Sequence, residues 1–260
     1  MTSTPDVGAN LQATERLVRE AASRGAELVV VPENFSHLGP EEEKVGLAES
    51  VPGAGPVFSR MKALAIETRT HLVLGGMAEK SDEADKVYNA CVLLGPDGDV
   101  LALYRKIHLF DVDIPGGVTV RESRTFKPGA DVVVADLPFG PLGLSVCYDL
   151  RFPELYREMT RRGAVAFVVP AAFTLYTGKD HWMPLLVARA IENQCWVLAA
   201  GQFGVHFKNR QSYGKSAIID PWGTVVAQVS DGEGVAIARL DRAVLDRVRT
   251  QLPALSHRRL

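Results

Sequence analysis

Gly143-Leu144-Ser145-Val146-Cys147-Tyr148-Asp149-Leu150-Arg151-Phe152-Pro153-Glu154 carries an apolar run straight into a cysteine, with a proline six residues further on. The apolar run over 142–147 reads as a buried strand. Pro153 suits the first turn of a helix, where its missing N–H is no loss, and that helix is expected to run to about 162. A strand, a sharp turn and a helix start in this order present a side chain at an exposed elbow. The backbone N–H groups that follow can bind an anion. A free cysteine is more often an inert, buried small hydrophobe. Cys91 and Cys195 fit that description, since each lies in or beside an apolar stretch without a charge cluster. Cys147, with Asp149, Arg151 and Glu154 close by, does not.

Working outward, helical and strand periods alternate on both sides. The pattern predicts helices over 10–25, 56–68, 180–194 and 241–252. It predicts strands over 27–31, 71–75, 164–170, 196–201 and 235–240. Two hairpins are expected: 88–94 with 100–104 around Pro96-Asp97-Gly98, and 215–219 with 224–229 around Asp220-Pro221-Trp222-Gly223. This is an α/β pattern, a mixed sheet system covered by helices. With 260 residues, no internal repeat and no low-complexity linker, a single domain over 1–260 is the simplest organisation.

Two further segments set ionisable groups at strand ends. Val29-Val30-Val31-Pro32-Glu33 closes an apolar strand with a carboxylate. Such a group is either a plain surface acid or a general base tuned by partial burial. Leu103-Tyr104-Arg105-Lys106-Ile107-His108-Leu109-Phe110-Asp111 offers Lys106 as a solvated lysine or as a fixed cation for an oxyanion. His108 reads as a satisfied structural histidine, because no serine motif accompanies it.

Composition narrows the classes. Apolar residues make up 47% and charged ones 23%, and the net charge is −2 with both signs scattered. No basic stripe points to nucleic acid, and no polybasic segment points to a membrane surface. The apolar runs are too short to span a bilayer, and the first residues do not have the pattern of a signal peptide. Three cysteines share no metal-ligand spacing and form no disulfide framework, so a reducing, cytoplasmic setting is expected.

Taken together, Pro32-Glu33, then Tyr104-Arg105-Lys106-x-His108-Leu109-Phe110-Asp111, then Cys147-Tyr148-Asp149-x-Arg151-Phe152-Pro153-Glu154 resemble the Glu, Lys and Cys blocks of the carbon–nitrogen hydrolase (nitrilase) superfamily. The resemblance implies a four-layer α-β-β-α sandwich and a triad of Glu33, Lys106 and Cys147. It also implies a second glutamate, Glu122, beside the lysine, and an oxyanion contact from the backbone N–H of Tyr148. No metal or organic cofactor is implied. The segments Ala172-Phe173-Thr174-x-x-Thr177-Gly178-x-x-His181-Trp182, Arg189-Ala190-Ile191-Glu192-Asn193, Ser212-Tyr213-Gly214-Lys215-Ser216 and Asp220-Pro221-Trp222-Gly223 are similar to the branch that hydrolyses deaminated glutathione. That similarity suggests Thr174, Thr177 and His181 at the pocket mouth, with Arg151 or Arg189 as carboxylate partners for a small amide substrate. These five residues serve equally well as fold maintenance, and Trp182 and Trp222 read as packing. An ω-amidase acting on 2-oxoglutaramate shares the triad and is the alternative. A nitrilase, or a binding protein without catalysis, is further off.

Members of the superfamily open with a short apolar strand before the first helix. Met1-Thr2-Ser3-Thr4-Pro5 stands where that strand would already have ended. The expectation is a sandwich without its first strand, which an upstream start would restore. Ladder groups left unpaired and buried would cost on the order of 1–3 kcal/mol each. A homodimer or higher homo-oligomer, with sheets continued across the interface, is also implied.

Overall fold

In the computed structural model residues 1–113 and 119–259 are described. Residues 114–118 and 260, inside the expected domain span, lie outside them. Two sheets stack face to face, and helices cover the outer face of each. The first sheet runs Leu28–Val31, His71–Lys80, Val87–Leu94, Val100–Arg105, with Phe126–Lys127 added against Val87–Leu94. The second runs Val225–Gln228, Ala217–Ile219, Trp196–Gly201, Ala166–Ala171, Leu142–Leu144, Val134–Ala135. Helices Val7–Ser23 and Pro56–Thr68 pack on the first sheet, and Pro153–Arg161 and Leu175–Asn193 on the second. The four layers expected from the sequence are therefore present.

Alternation along the strands builds this stack. In His71–Lys80, Val73 joins the cluster between the two sheets, while Leu72 and Leu74 join the cluster beneath the helices. In Val87–Leu94, Cys91 and Leu93 face the opposite sheet, and Val92 and Leu94 face the helices. Residues of a strand point to opposite faces in turn, so a strand apolar throughout is one buried on both sides. Each fully buried side chain of this kind contributes roughly 1.5–3 kcal/mol over an exposed one.

Several boundaries follow from caps. Asp6 accepts from Ala9 N at 3.0 Å, so the first helix starts at Val7. Thr174 caps Leu175–Asn193, which begins five residues ahead of the expected start at 180. The strand expected over 142–147 ends at Leu144. Beyond it, the Ser145 hydroxyl donates to Val168 O at 2.7 Å and Val146 N donates to the Asp149 carboxylate at 2.8 Å, so the ladder stops. A short 3-10 helix, Cys147–Arg151, follows.

One expected element does not form: 235–240 belongs to no strand. No strand precedes Val7–Ser23 among the described residues, and Leu28–Val31 is the edge of its sheet. Between that edge and 234–240 lies a groove of about 660 Å³. Met1, Leu17, Val18 and Ala21 also line it. Ladder bonds need strands about 4.8 Å apart. Across this groove 235–240 has no partner edge within reach, which is why its strand-forming sequence stays irregular.

Candidate active site

Glu33, Lys106, Glu122 and Cys147 converge on one cleft, although the sequence spreads them over 115 positions. Each is carried to the end of a strand or just beyond it. Leu28–Val31 delivers Glu33, 4% exposed. Val100–Arg105 delivers Lys106, 2% exposed. Leu142–Leu144 leads to Cys147, and a short 3-10 turn, Glu122–Arg124, supplies Glu122.

Backbone geometry makes room for the carboxylate. A bulge between Leu74 and Met77 swings Gly75 and Gly76 past Glu33. At Gly76, φ is +64°, and a Cβ would lie 2.6 Å from Asn89 Oδ1 and 2.7 Å from Glu33 Cγ. Only glycine fits there. Gly76 O then accepts from Asn34 N at 3.0 Å, fixing the loop just after Glu33.

The carboxylates and the lysine form one hydrogen-bonded unit. Lys106 Nζ donates to Glu33 Oε1 at 3.1 Å and to both Glu122 oxygens at 2.9 and 2.8 Å. Asn89 Nδ2 donates to Glu33 at 2.9 Å and to Glu122 at 3.2 Å. Ala172 N donates to Glu33 Oε2 at 2.9 Å, and Phe110 N to Glu122 Oε2 at 2.6 Å. Burial works against a charge on Glu33, yet Lys106, the Ala172 N–H and the Cys147 thiol together hold it below the usual carboxylate range. Burial, reinforced by Glu33, pushes Glu122 up. Burial also opposes the Lys106 ammonium, but Glu122 and Glu33 carry its pKa well above normal. The resting pattern is thus an ionised Glu33, a cationic Lys106 and a Glu122 shifted towards its acid form. Two carboxylates in one site with their pKa values pushed apart is the arrangement acid–base chemistry requires.

Burial and then the Glu33 charge raise the Cys147 thiol well above its ordinary value. The thiol is therefore neutral at rest. Cys147 has φ +49°, in the left-handed region. Such a conformation costs about 1–3 kcal/mol and persists only where its surroundings over-determine it. Asp149, fully buried, does so. Its carboxylate accepts from Val146 N at 2.8 Å, Tyr104 Oη at 2.7 Å, His108 N at 3.1 Å and His108 Nδ1 at 2.7 Å. It therefore ties the cysteine elbow to the segment holding Lys106. His108 also stacks on Phe152, with centroids 3.6 Å apart, and so is a satisfied structural residue.

The remaining expected residues divide. Tyr148, Arg151, Thr174 and Thr177 line the cleft. The two threonine hydroxyls lie 2.8 Å apart. The Arg151 guanidinium sits over Phe173 at 5.0 Å and touches His181 Nδ1 at 3.3 Å, so His181 stands behind Arg151 and outside the lining. Arg189 is not brought to the cleft. It is buried, donates to Leu150 O at 3.1 and 2.8 Å, and pairs with Glu192 at 2.8 Å. It braces the turn that follows Cys147 and has no free face for a substrate carboxylate. Trp182 is fully buried, and its Nε1–H donates to Lys215 O at 2.9 Å. Cys91 and Cys195 are buried with thiols pushed up, Cys195 to about 11.

Sequence reading missed Asn89, Glu41 and Arg210, all in the cleft lining. A lone asparagine inside the apolar run Tyr88-Asn89-Ala90-Cys91-Val92 was a readable signal for the first. Glu41 and Arg210 come from loops 169 positions apart, and no local pattern joins them.

A strained cysteine elbow, a buried carboxylate and a buried lysine thus share one cleft. The sequence model for carbon–nitrogen hydrolases matches residues 1–250, and the chain belongs to this family. It is 47% identical over 261 residues to a deaminated glutathione amidase of Synechocystis sp., covering 99% of this chain and 95% of the relative. The human deaminated glutathione amidase is 44% identical over 263 residues, covering 100% and 80%. Among solved structures, the C. elegans NitFhit protein superposes with a TM-score of 0.93 at 42% identity. This chain is covered in full and spans 63% of that one.

Proposed function

We propose that the protein hydrolyses the amide bond of deaminated glutathione, giving 2-oxoglutarate and cysteinylglycine, a metabolite-repair reaction. The observation that carries this reading is the buried Glu33–Lys106–Glu122 unit against the Cys147 thiol, in a chain 43–47% identical to relatives bearing the name deaminated glutathione amidase.

Glu33 takes the thiol proton as Cys147 Sγ attacks the amide carbonyl carbon. Lys106 and the backbone N–H of Tyr148 hold the oxyanion that forms; losing one such donor typically lowers the rate about 10²–10³-fold. The proton on Glu33 passes to the departing amine, the C–N bond breaks and cysteinylglycine leaves. A thioester remains on Cys147. Water, giving a proton to Glu33, attacks it and releases the acid, and the proton returns to the sulfur. Glu122, nearer its acid form, keeps Lys106 oriented without competing as the base.

The three free cysteines suit a reducing, cytoplasmic setting for a catalytic thiol. A homodimer is supported by exposed apolar side chains on the second sheet's side, Ile191, Trp222 and Val226 among them. The test is steady-state hydrolysis of deaminated glutathione and of 2-oxoglutaramate side by side. Preference for deaminated glutathione is expected. Preference for 2-oxoglutaramate would replace the substrate and keep the triad.

A further inference from the structure

We infer that Arg210, held by Glu41, is a specificity-determining residue that binds the carboxylate on the acyl side of the substrate, while Arg151 serves a carboxylate on the leaving side. This rests on the amidase reading above and goes beyond it, because it defines the substrate as an amide with a carboxylate on each side of the scissile bond.

Arg210 ends the turn between Phe203–Val205 and Gln211–Tyr213. That hairpin is fastened to the cleft wall: Tyr213 N donates to Phe173 O at 2.9 Å, and Ser212 bridges to Thr174. Within the turn, Arg210 N donates to Phe207 O and His206 N to Arg210 O, each at 3.0 Å. The guanidinium spends one nitrogen on Glu41, Nη1 to Oε1 at 2.5 Å, and makes no other hydrogen bond among the described residues. One carboxylate thus holds a guanidinium that lines the cleft and keeps donors for a second carboxylate. A planar, pre-oriented fork suits a second carboxylate.

Arg151 is the other cleft guanidinium. It has aromatic neighbours and His181 but no carboxylate partner among the described residues. Its contact with His181 is exposed, whereas the Arg210–Glu41 contact is partly buried. Arg210 also lies near enough to Glu33 and Glu122 to be stabilised by their charge. The acyl group stays attached to Cys147 through both chemical steps, and the amine must leave to solvent. The cation nearer the Glu33–Glu122 unit therefore serves the acyl portion, and the one beside the exposed His181 serves the exit.

Arg210→Gln, Arg210→Lys and Arg151→Gln should be compared with the unmodified protein on three amides. These are deaminated glutathione with both carboxylates, 2-oxoglutaramate with the acyl-side one only, and propionamide with none. Losing a charge-assisted contact should raise KM about ten- to hundredfold. Arg210→Gln is expected to do so for the first two substrates with little change in kcat, and to leave propionamide unaffected. Arg210→Lys should recover part of the loss, and Arg151→Gln should affect deaminated glutathione alone. Equal loss on propionamide, or unchanged KM on the charged amides, would overturn the assignment. Calorimetric binding of 2-oxoglutarate separates this proposal from the amidase reading. Binding that Arg210→Gln abolishes upholds the role of Arg210 even if no amide is turned over, and binding that it leaves intact refutes it.

Discussion

At the scale of single residues, Lys106 and Cys147 should fail differently when replaced. Cys147→Ala removes the sulfur and leaves the Lys106 and Ala172 hydrogen bonds to Glu33 in place. Turnover should vanish while the melting temperature stays within a few degrees. Lys106→Met leaves Glu33 and Glu122 facing each other in a buried site. Breaking a buried pair in this way costs about 3–5 kcal/mol, so both activity and thermal stability should fall. Asp149→Asn is a third case, measured by the same two readouts. The amide offers one acceptor oxygen where four donors now converge, so the elbow loosens and kcat falls with a loss of about 1–3 kcal/mol in stability. The residues proposed to do the chemistry were legible because each ends an apolar run: Glu33 after Val29-Val30-Val31-Pro32, and Cys147 after 142–146. The residues that position them were less so. Three of the four donors to Asp149, and the bridging role of Asn89, depend on contacts across 33 to 56 positions.

At the scale of elements, the hairpin of Val87–Leu94 with Val100–Arg105 and the helix Pro56–Thr68 follow local chemistry and match the expected spans closely. The expected strand over 235–240 does not form, because a strand needs a neighbour and the groove beside Leu28–Val31 is open. Six apolar, β-forming residues joined ahead of Met1 should fill that groove and pair with both edges. Such an extension is predicted to raise the melting temperature and to protect the amides of 235–240 from hydrogen exchange. An unchanged exchange pattern would show that the groove does not accept a strand. The bulge at Gly75 and Gly76 makes the opposite prediction. Gly76→Ala forces a Cβ against Asn89 and Glu33 at φ +64°, so it should cost about 1–3 kcal/mol and most of the activity.

At the scale of the whole molecule, the first residues are tied to the body by a buried histidine. His206 Nδ1 lies 2.8 Å from Ser3 O, and its Nε2 is buried without a partner. Burial lowers its pKa to about 4. Between about 4 and the unfolded value near 6.5, the unfolded chain binds the proton and the folded one does not. Stability therefore rises with pH across that window, by up to about 3 kcal/mol from this group, and is lost as pH falls through it. Thermal unfolding from pH 4 to 7 should show the slope, and His206→Gln should flatten it. Activity has a different acid limit. Glu33 is held below the ordinary carboxylate range, so kcat/KM should stay level through neutral pH and decline only below that range.

In the proposed mechanism the acyl group passes through Cys147. Acid-quenched enzyme, sampled during turnover of deaminated glutathione and analysed by peptide mass spectrometry, tests it most directly. A 2-oxoglutaryl adduct on the Cys147 peptide, with neither adduct nor turnover in Cys147→Ala, is the predicted result. Continued hydrolysis by a folded Cys147→Ala variant would contradict it.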